Sequence, residues 1–358
     1  MSVLSGHVIG AGARMGSYKT VALPTGAGVD LFFAISGFIM VYASDGLFTR
    51  EGAALQFLQK RVLRLVPLYW LCTTAMLAMM LAGRKSASEL PDLSYVLSSY
   101  LFIPDTSYAS VDGVAFPLLS LGWTLNFEML FYAIFSVFIG FPRGRAVAGV
   151  AATLMLVVVL GTVLTFHSAV LHTWTQAIIL EFALGMLVAH AFLQGARWPV
   201  ALRIAALAGA LVWLAMDPCA LLRQHQTPNS IDRVIGWGMP AALILAAAVL
   251  GSTKLPRRTE KVASLLGDSS YSLYLTHPFV LITGQHIWMQ VVGPHHTVWF
   301  ILATIAASVA VSIVVHALVE RPLGRSLARV VRSGHAGDAS KPLAKNSLGP
   351  VSGASGLV

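Results

Sequence analysis

Gly28-Val-Asp-Leu-Phe-Phe-Ala-Ile-Ser-Gly-Phe-Ile-Met-Val-Tyr-Ala-Ser44 is a run of 17 residues with one charged side chain, Asp30. At ~1.5 Å per residue, a helix of this length approaches the ~30 Å hydrocarbon core of a bilayer. Working outward, similar apolar runs lie near 65 to 83, 121 to 141, 147 to 166, 174 to 194, 204 to 217, 233 to 252, 267 to 290 and 298 to 319. Charged residues or Pro and Gly separate each from the next, except that a stretch with His167 and His172 divides the fourth from the fifth. The segment 204 to 217 is the shortest and also suits a re-entrant helix. The predicted fold is all-α: a polytopic transmembrane helical bundle, with about nine spans present of an expected ten.

Composition agrees. Apolar residues make up 56% of the 358 positions and charged residues 11%, where soluble domains carry about 25% charge. A soluble enzyme is excluded. The net charge of +9 points away from nucleic acid once the bases are placed, because 18 of the 24 Lys and Arg fall in alternate connectors, 45 to 64, 142 to 146, 195 to 203, 253 to 266 and 320 to 358. Positive residues collect on the cytoplasmic side, so these connectors and the C-terminus are expected inside, and 1 to 27 and 84 to 119 outside. The chain then reads as a multi-pass protein of a bacterial inner membrane. Residues after about 333, rich in Gly, Ser, Ala and Lys, are expected to form a disordered cytoplasmic tail. Cys72 and Cys219 stand apart, with no CxxC and no Cys/His cluster, which predicts free thiols and no metal site. An external N-terminus without a full preceding span suggests that a first helix is truncated, with Met1 to His7 as its last turns.

Ionisable groups inside spans are costly and therefore few. Asp30 opens its span, where a helix-capping carboxylate at headgroup level is the plain alternative to a functional one. Glu128, in Gly122-Trp-Thr-Leu-Asn-Phe-Glu-Met-Leu-Phe-Tyr132, is expected ~10 Å below the outer surface, and Glu181 at similar depth; interhelical hydrogen bonding is the structural alternative for both. Arg61 and Arg64, in Gln59-Lys-Arg-Val-Leu-Arg-Leu-Val-Pro-Leu-Tyr69, share a helix face at the inner edge and suit either phosphate or simple anchoring. Lys254, Arg257, Arg258 and Lys261 read as anchors only. In Ser269-Ser-Tyr-Ser-Leu-Tyr-Leu-Thr-His-Pro278, Tyr271, Tyr274 and His277 recur every third residue and form a polar stripe beside Pro278, expected to open the backbone and line a cavity. His316 reads as packing. Ser36 ranks low as a nucleophile, because its six-residue offset turns it about 240° from Asp30.

These stretches together resemble the acyltransferase family 3 membrane proteins, in particular the exopolysaccharide and O-antigen O-acetylase branch. The second-helix stretch from Gly28 to Phe38, the basic segment from Lys60 to Trp70, Trp123-Thr-Leu-Asn-Phe-Glu-Met-Leu-Phe-Tyr132 and Ser270 to Pro278 are similar to family motifs, in order, over about residues 1 to 325. The family's first-helix Arg has no counterpart here, while His7 matches its His. The resemblance implies a membrane acyltransferase domain over 1–325, with 333–358 outside it. It implies transfer of an acyl group, usually acetyl, from acyl-CoA to a hydroxyl of a glycan or lipid-linked saccharide. Acyl-CoA is then a co-substrate, with no permanently bound cofactor. His7 becomes the expected general base with Asp30 as orienting partner, Glu128 a second carboxylate for catalysis, and Arg61 and Arg64 the contacts to CoA phosphates. Trp123, Asn126, Glu181, Tyr271, Tyr274 and His277 are expected to bind substrate or line the passage. A secondary transporter or flippase with a helix broken at Pro278 is the competing class.

Overall fold

The computed structural model describes residues 2–14, 24–83, 90–106, 110–111, 114–222, 230–251, 256–294, 296–327 and 329. The expected tail at 333–358 and Lys254 lie outside them. Among the described residues nearly all regular structure is helix, the exception being a ladder pairing Ser110–Val111 with Val114–Ala115. All nine apolar segments fall on helices. Among the described residues, five helices are long and apolar enough to cross a membrane: Ala53–Ala82, Ser120–Phe138, Arg143–Val163, Ile231–Val249 and Thr297–Leu327. Shorter apolar helices cover Val3–Gly12, Ala27–Ala43, Ala177–Leu193 and Val200–Met216.

The first helix, α1 (Ser2–Arg14), runs past His7 and packs on α2 (Ala27–Ala43), α13 (Ser270–Val291) and α14 (Thr297–Val315). Helix α3 (Ala53–Ala82) starts well before the apolar run at 65, so Arg61 and Arg64 sit within a continuous 30-residue helix. Its first turns are amphipathic rather than apolar, a pattern that a search for long apolar runs passes over. Pro278 lies inside an unbroken α13, so the expected opening of the backbone is not what the structure holds; the ring withholds only one N–H from the carbonyl of Tyr274.

The tightest crossing is between α2 and α8 (Leu180–Leu193). A Cβ on Gly37 would collide with the carbonyl of Phe182, and one on Gly185 with the carbonyl of Ala34, so each glycine admits the other helix's backbone. Where lipid offers no hydrophobic drive, such close contact is what holds helices together. Phe33, Phe131 and Phe182 fill the adjoining core, with ring centroids 4.7 Å apart for Phe33 and Phe182 and 4.3 Å for Phe131 and Phe182. Outward-facing Val163, Leu202, Met216 and Val298 are exposed, as side chains meeting lipid would be.

Connectors of like expected sidedness meet. Arg143 forms an ion pair with Asp45 at 2.5 Å, and the Thr49 N–H donates to the Ile139 carbonyl. Trp198 N–H donates to the carbonyl of Leu250. At the opposite end, α4 (Leu93–Tyr100) lies against α3, with the Tyr69 hydroxyl donating to the Ser99 carbonyl at 2.9 Å. Both cysteines are free thiols.

Candidate active site

A cavity of about 330 Å³ is enclosed by α1, α2, α3, α5 (Trp123–Phe138) and α13. Thr124 and Tyr132, eight residues apart on α5, both line it, so it extends at least ~12 Å along the helix axis. Its apolar wall comes mainly from α2, through Phe32, Ile35, Ile39 and Met40. Its polar groups fall into three levels.

At one end stand Arg61 and Arg64. Arg61 is buried over the Phe57 ring, 5.4 Å from its centroid, and its Nε has no hydrogen-bond partner among the described residues. Arg64 is exposed. Three residues apart on α3, both reach the same chamber. Tyr271 also lines it, but its hydroxyl is committed to the Leu65 carbonyl at 2.7 Å.

The middle level holds Glu128. Its Oε1 accepts from the Tyr132 hydroxyl and from Ser36 Oγ at 3.3 Å, whereas Oε2 has no partner among the described residues. A buried carboxylate with one oxygen unused is costly unless something visits it.

The far level holds Thr124, Tyr274 and His277. Tyr274 donates to the Leu121 carbonyl at 2.8 Å and meets the Thr124 hydroxyl at 2.7 Å. His277 is buried; its Nδ1 lies 3.1 Å from the Leu273 carbonyl, and a carbonyl can only accept, so Nδ1 carries the proton in this arrangement. Nε2 is then an acceptor, and it faces His7 Nδ1 at 3.4 Å, with ring centroids 5.3 Å apart. By the same rule His7 Nδ1 donates, which leaves the Nε2 of exposed His7 as the basic nitrogen of the pair.

The expected pairing of His7 with Asp30 is corrected by this geometry. Asp30 is fully buried on the opposite side of α2 and accepts from Arg233, Nε to Oδ1 at 3.0 Å and Nη2 to Oδ2 at 2.8 Å. Arg233 also lies over the Trp237 ring at 5.0 Å. A π-helical turn at Val234–Gly238 follows Arg233 directly. Glu181 belongs to this second cluster: its carboxylate is fully buried beside Asp30 and would meet a Cβ on Gly238. Trp123 packs edge-on against Phe33 and Phe127, and Asn126 is buried; neither is among the residues lining the cavity. The cavity thus unites Arg61, Arg64, Glu128, Tyr271, Tyr274 and His277, with His7 adjoining through His277, and leaves Asp30, Glu181, Trp123 and Asn126 outside.

Two groupings escaped the sequence reading. Arg233 looked like a flanking base of its span, although a lone Arg and a lone Asp at the expected outer ends of two apolar runs were a usable signal. His316 does more than pack: its Nδ1 lies 2.9 Å from Glu320 Oε2, which also accepts from Ser272 at 2.5 Å and so ties the turn after α14 to the start of α13.

Comparison with known proteins bears on the same stretches. A family model described as an acyltransferase domain matches residues 1–317. The exopolysaccharide production protein ExoZ of Rhizobium meliloti (strain 1021) is 35% identical over 317 residues, covering 88% of this chain and 95% of the relative. No solved structure matches. With the family's motifs contributing to the walls of one chamber inside a bundle of apolar helices, this chain belongs to the acyltransferase 3 family of membrane proteins.

Proposed function

We infer that the protein transfers an acyl group, acetyl by preference, from acyl-CoA to a hydroxyl of an exported glycan. The observation that carries this reading is one cavity lined by two arginines at one end and by His277, which contacts His7, at the other. Guanidinium groups suit the CoA phosphates by bidentate, charge-assisted hydrogen bonding. With the basic connectors facing the cytoplasm, the arginine end is where CoA arrives and the histidine end faces the acceptor. The relative's role in exopolysaccharide production supports a glycan as that acceptor.

A sugar hydroxyl is a weak nucleophile and needs a general base beside it. His7 Nε2 fills that role, and His277 replaces Asp30 as the residue that orients it. When His7 takes the hydroxyl proton, the contact from its Nδ1 to His277 Nε2 spreads the new charge toward the Leu273 carbonyl. The departing CoA sulfur gains one proton for the one that the hydroxyl gives up, so the reaction consumes none overall.

The transporter reading loses its main structural support, since α13 is continuous through Pro278. Reconstitution tests the choice. The protein in vesicles, given radiolabelled acetyl-CoA on the arginine side and unacylated exopolysaccharide on the other, is expected to label the polysaccharide. Movement of unmodified saccharide without label would overturn the reading.

A further inference from the structure

Elsewhere in this bundle, serine and threonine hydroxyls on helices commonly turn back to the carbonyl four residues earlier. Ser98, Ser99, Thr276 and Ser308 all do so at 2.7–2.9 Å. This is the default for such residues in a helix. Ser36 does not follow it. Its Oγ lies in the cavity wall and donates across to Glu128 Oε1 on α5, at 3.3 Å. The carboxylate that Asp30 could not offer to Ser36 is supplied by a different helix.

Ser36 also occupies the middle of the route. The arginines lie at one end of the cavity and His277, in contact with His7, at the other, with Ser36 and Glu128 between them. Arg61 Nε, a buried donor without a partner among the described residues, adjoins the same space. A hydroxyl beside a fixed carboxylate, with a cation near the reacting carbonyl, is the arrangement of an activated nucleophile.

We propose that Ser36 carries the acyl group as an ester between CoA and the glycan, with Glu128 as its base; this rests on the acyltransferase reading above. In the first half, Glu128 takes the Ser36 proton as Oγ attacks the thioester carbonyl carbon. The carbon–sulfur bond breaks, and Glu128 passes the proton to the departing CoA sulfur, so that CoA leaves as the thiol and Glu128 is a carboxylate again. In the second half, the glycan hydroxyl oxygen attacks the Ser36 ester while His7 takes its proton. The bond from the carbonyl carbon to Ser36 Oγ then breaks, and the proton from the histidine pair returns to Ser36. Donor thioester and glycan alcohol become free thiol and glycan ester, with nothing left over.

The test is acid quenching of the full-length protein after incubation with acetyl-CoA alone, followed by peptide mass mapping. One acetyl group on the peptide containing Ser36 is expected, lost in Ser36→Ala and retained as a thioester in Ser36→Cys. Because the wild-type map decides the question, a Ser36→Ala protein that fails to fold does not weaken the test. Label on another residue, or none in a protein that still acetylates polysaccharide, overturns the Ser36 relay and leaves the acyltransferase reading standing. Loss of polysaccharide acetylation in the wild type removes both.

Discussion

Asp30 and Arg233, 203 residues apart in the chain, are joined by two hydrogen bonds within the bundle, and both side chains are at least 95% buried. Removing one partner of such a pair strands the other charge, at a cost of about 3–5 kcal/mol. Asp30→Asn and Arg233→Gln are therefore expected to lower the unfolding temperature of the detergent-solubilised protein sharply. His7→Ala should leave that temperature near wild type while acyl transfer is lost, because His7 is exposed. A stable, active Asp30→Asn protein would show that the pair holds nothing together, and an active His7→Ala protein would remove His7 as the base.

The α2–α8 crossing gives a second expectation. Adding even a methyl at Gly37 or Gly185 drives it into the facing backbone, which has no rotamer with which to yield. Gly37→Val and Gly185→Val should abolish accumulation of folded protein, measured as the monodisperse fraction after extraction. Normal yield of either would mean that the helices stand farther apart than described.

The helices were legible in the sequence because burial in lipid demands long apolar runs, and every such run is a helix here. Glu128, Arg61, Arg64 and the stripe from Tyr271 to His277 were legible for a related reason: polar groups in apolar runs stand out, and helical spacing puts them on one face. What stayed hidden was which helix faces which. Asp30 and His7 share an expected depth at the outer surface, but depth does not fix azimuth, and α2 turns Asp30 toward Arg233 and away from the cavity. Ser36 is hidden for the same reason: its own helix offers it no carboxylate on the same face, and Glu128 comes from another helix.

Arg61 and Arg64 should separate on substitution. Arg64 is exposed, so Arg64→Ala is expected to raise KM for acyl-CoA with little change in kcat. Losing one charge-assisted hydrogen bond, about 1.5–3 kcal/mol, corresponds to roughly a tenfold or greater rise. Arg61 is buried close to Glu128 and Tyr132, so Arg61→Ala should depress kcat as well. Unchanged donor dependence in the double variant would reduce both to anchors.

Cys219 reports on sidedness without an introduced probe. It lies in the connector after α9 (Val200–Met216), expected outside, and burial, with Asp232 and Asp217 adding to it, pushes its thiol above the usual range. Reaction with an impermeant maleimide in spheroplasts should therefore be slow at neutral pH and quicken as pH rises, since the thiolate is the reacting form. Cys72, buried in the bundle, should stay unmodified until the protein unfolds. Labelling of Cys219 only after permeabilisation would invert the orientation.

Mass spectrometry of the surface glycan reads out whether this chain adds an acyl group to it. Polysaccharide from cells with the gene, without it, and with His7→Ala restored in its place should be compared residue by residue. The first is expected to carry one ester-linked acyl group per repeat, removable by mild base, and the other two to lack it, with chain length and yield the same in all three. Identical acylation in all three, with polysaccharide missing from the surface of the deletion strain, would contradict it.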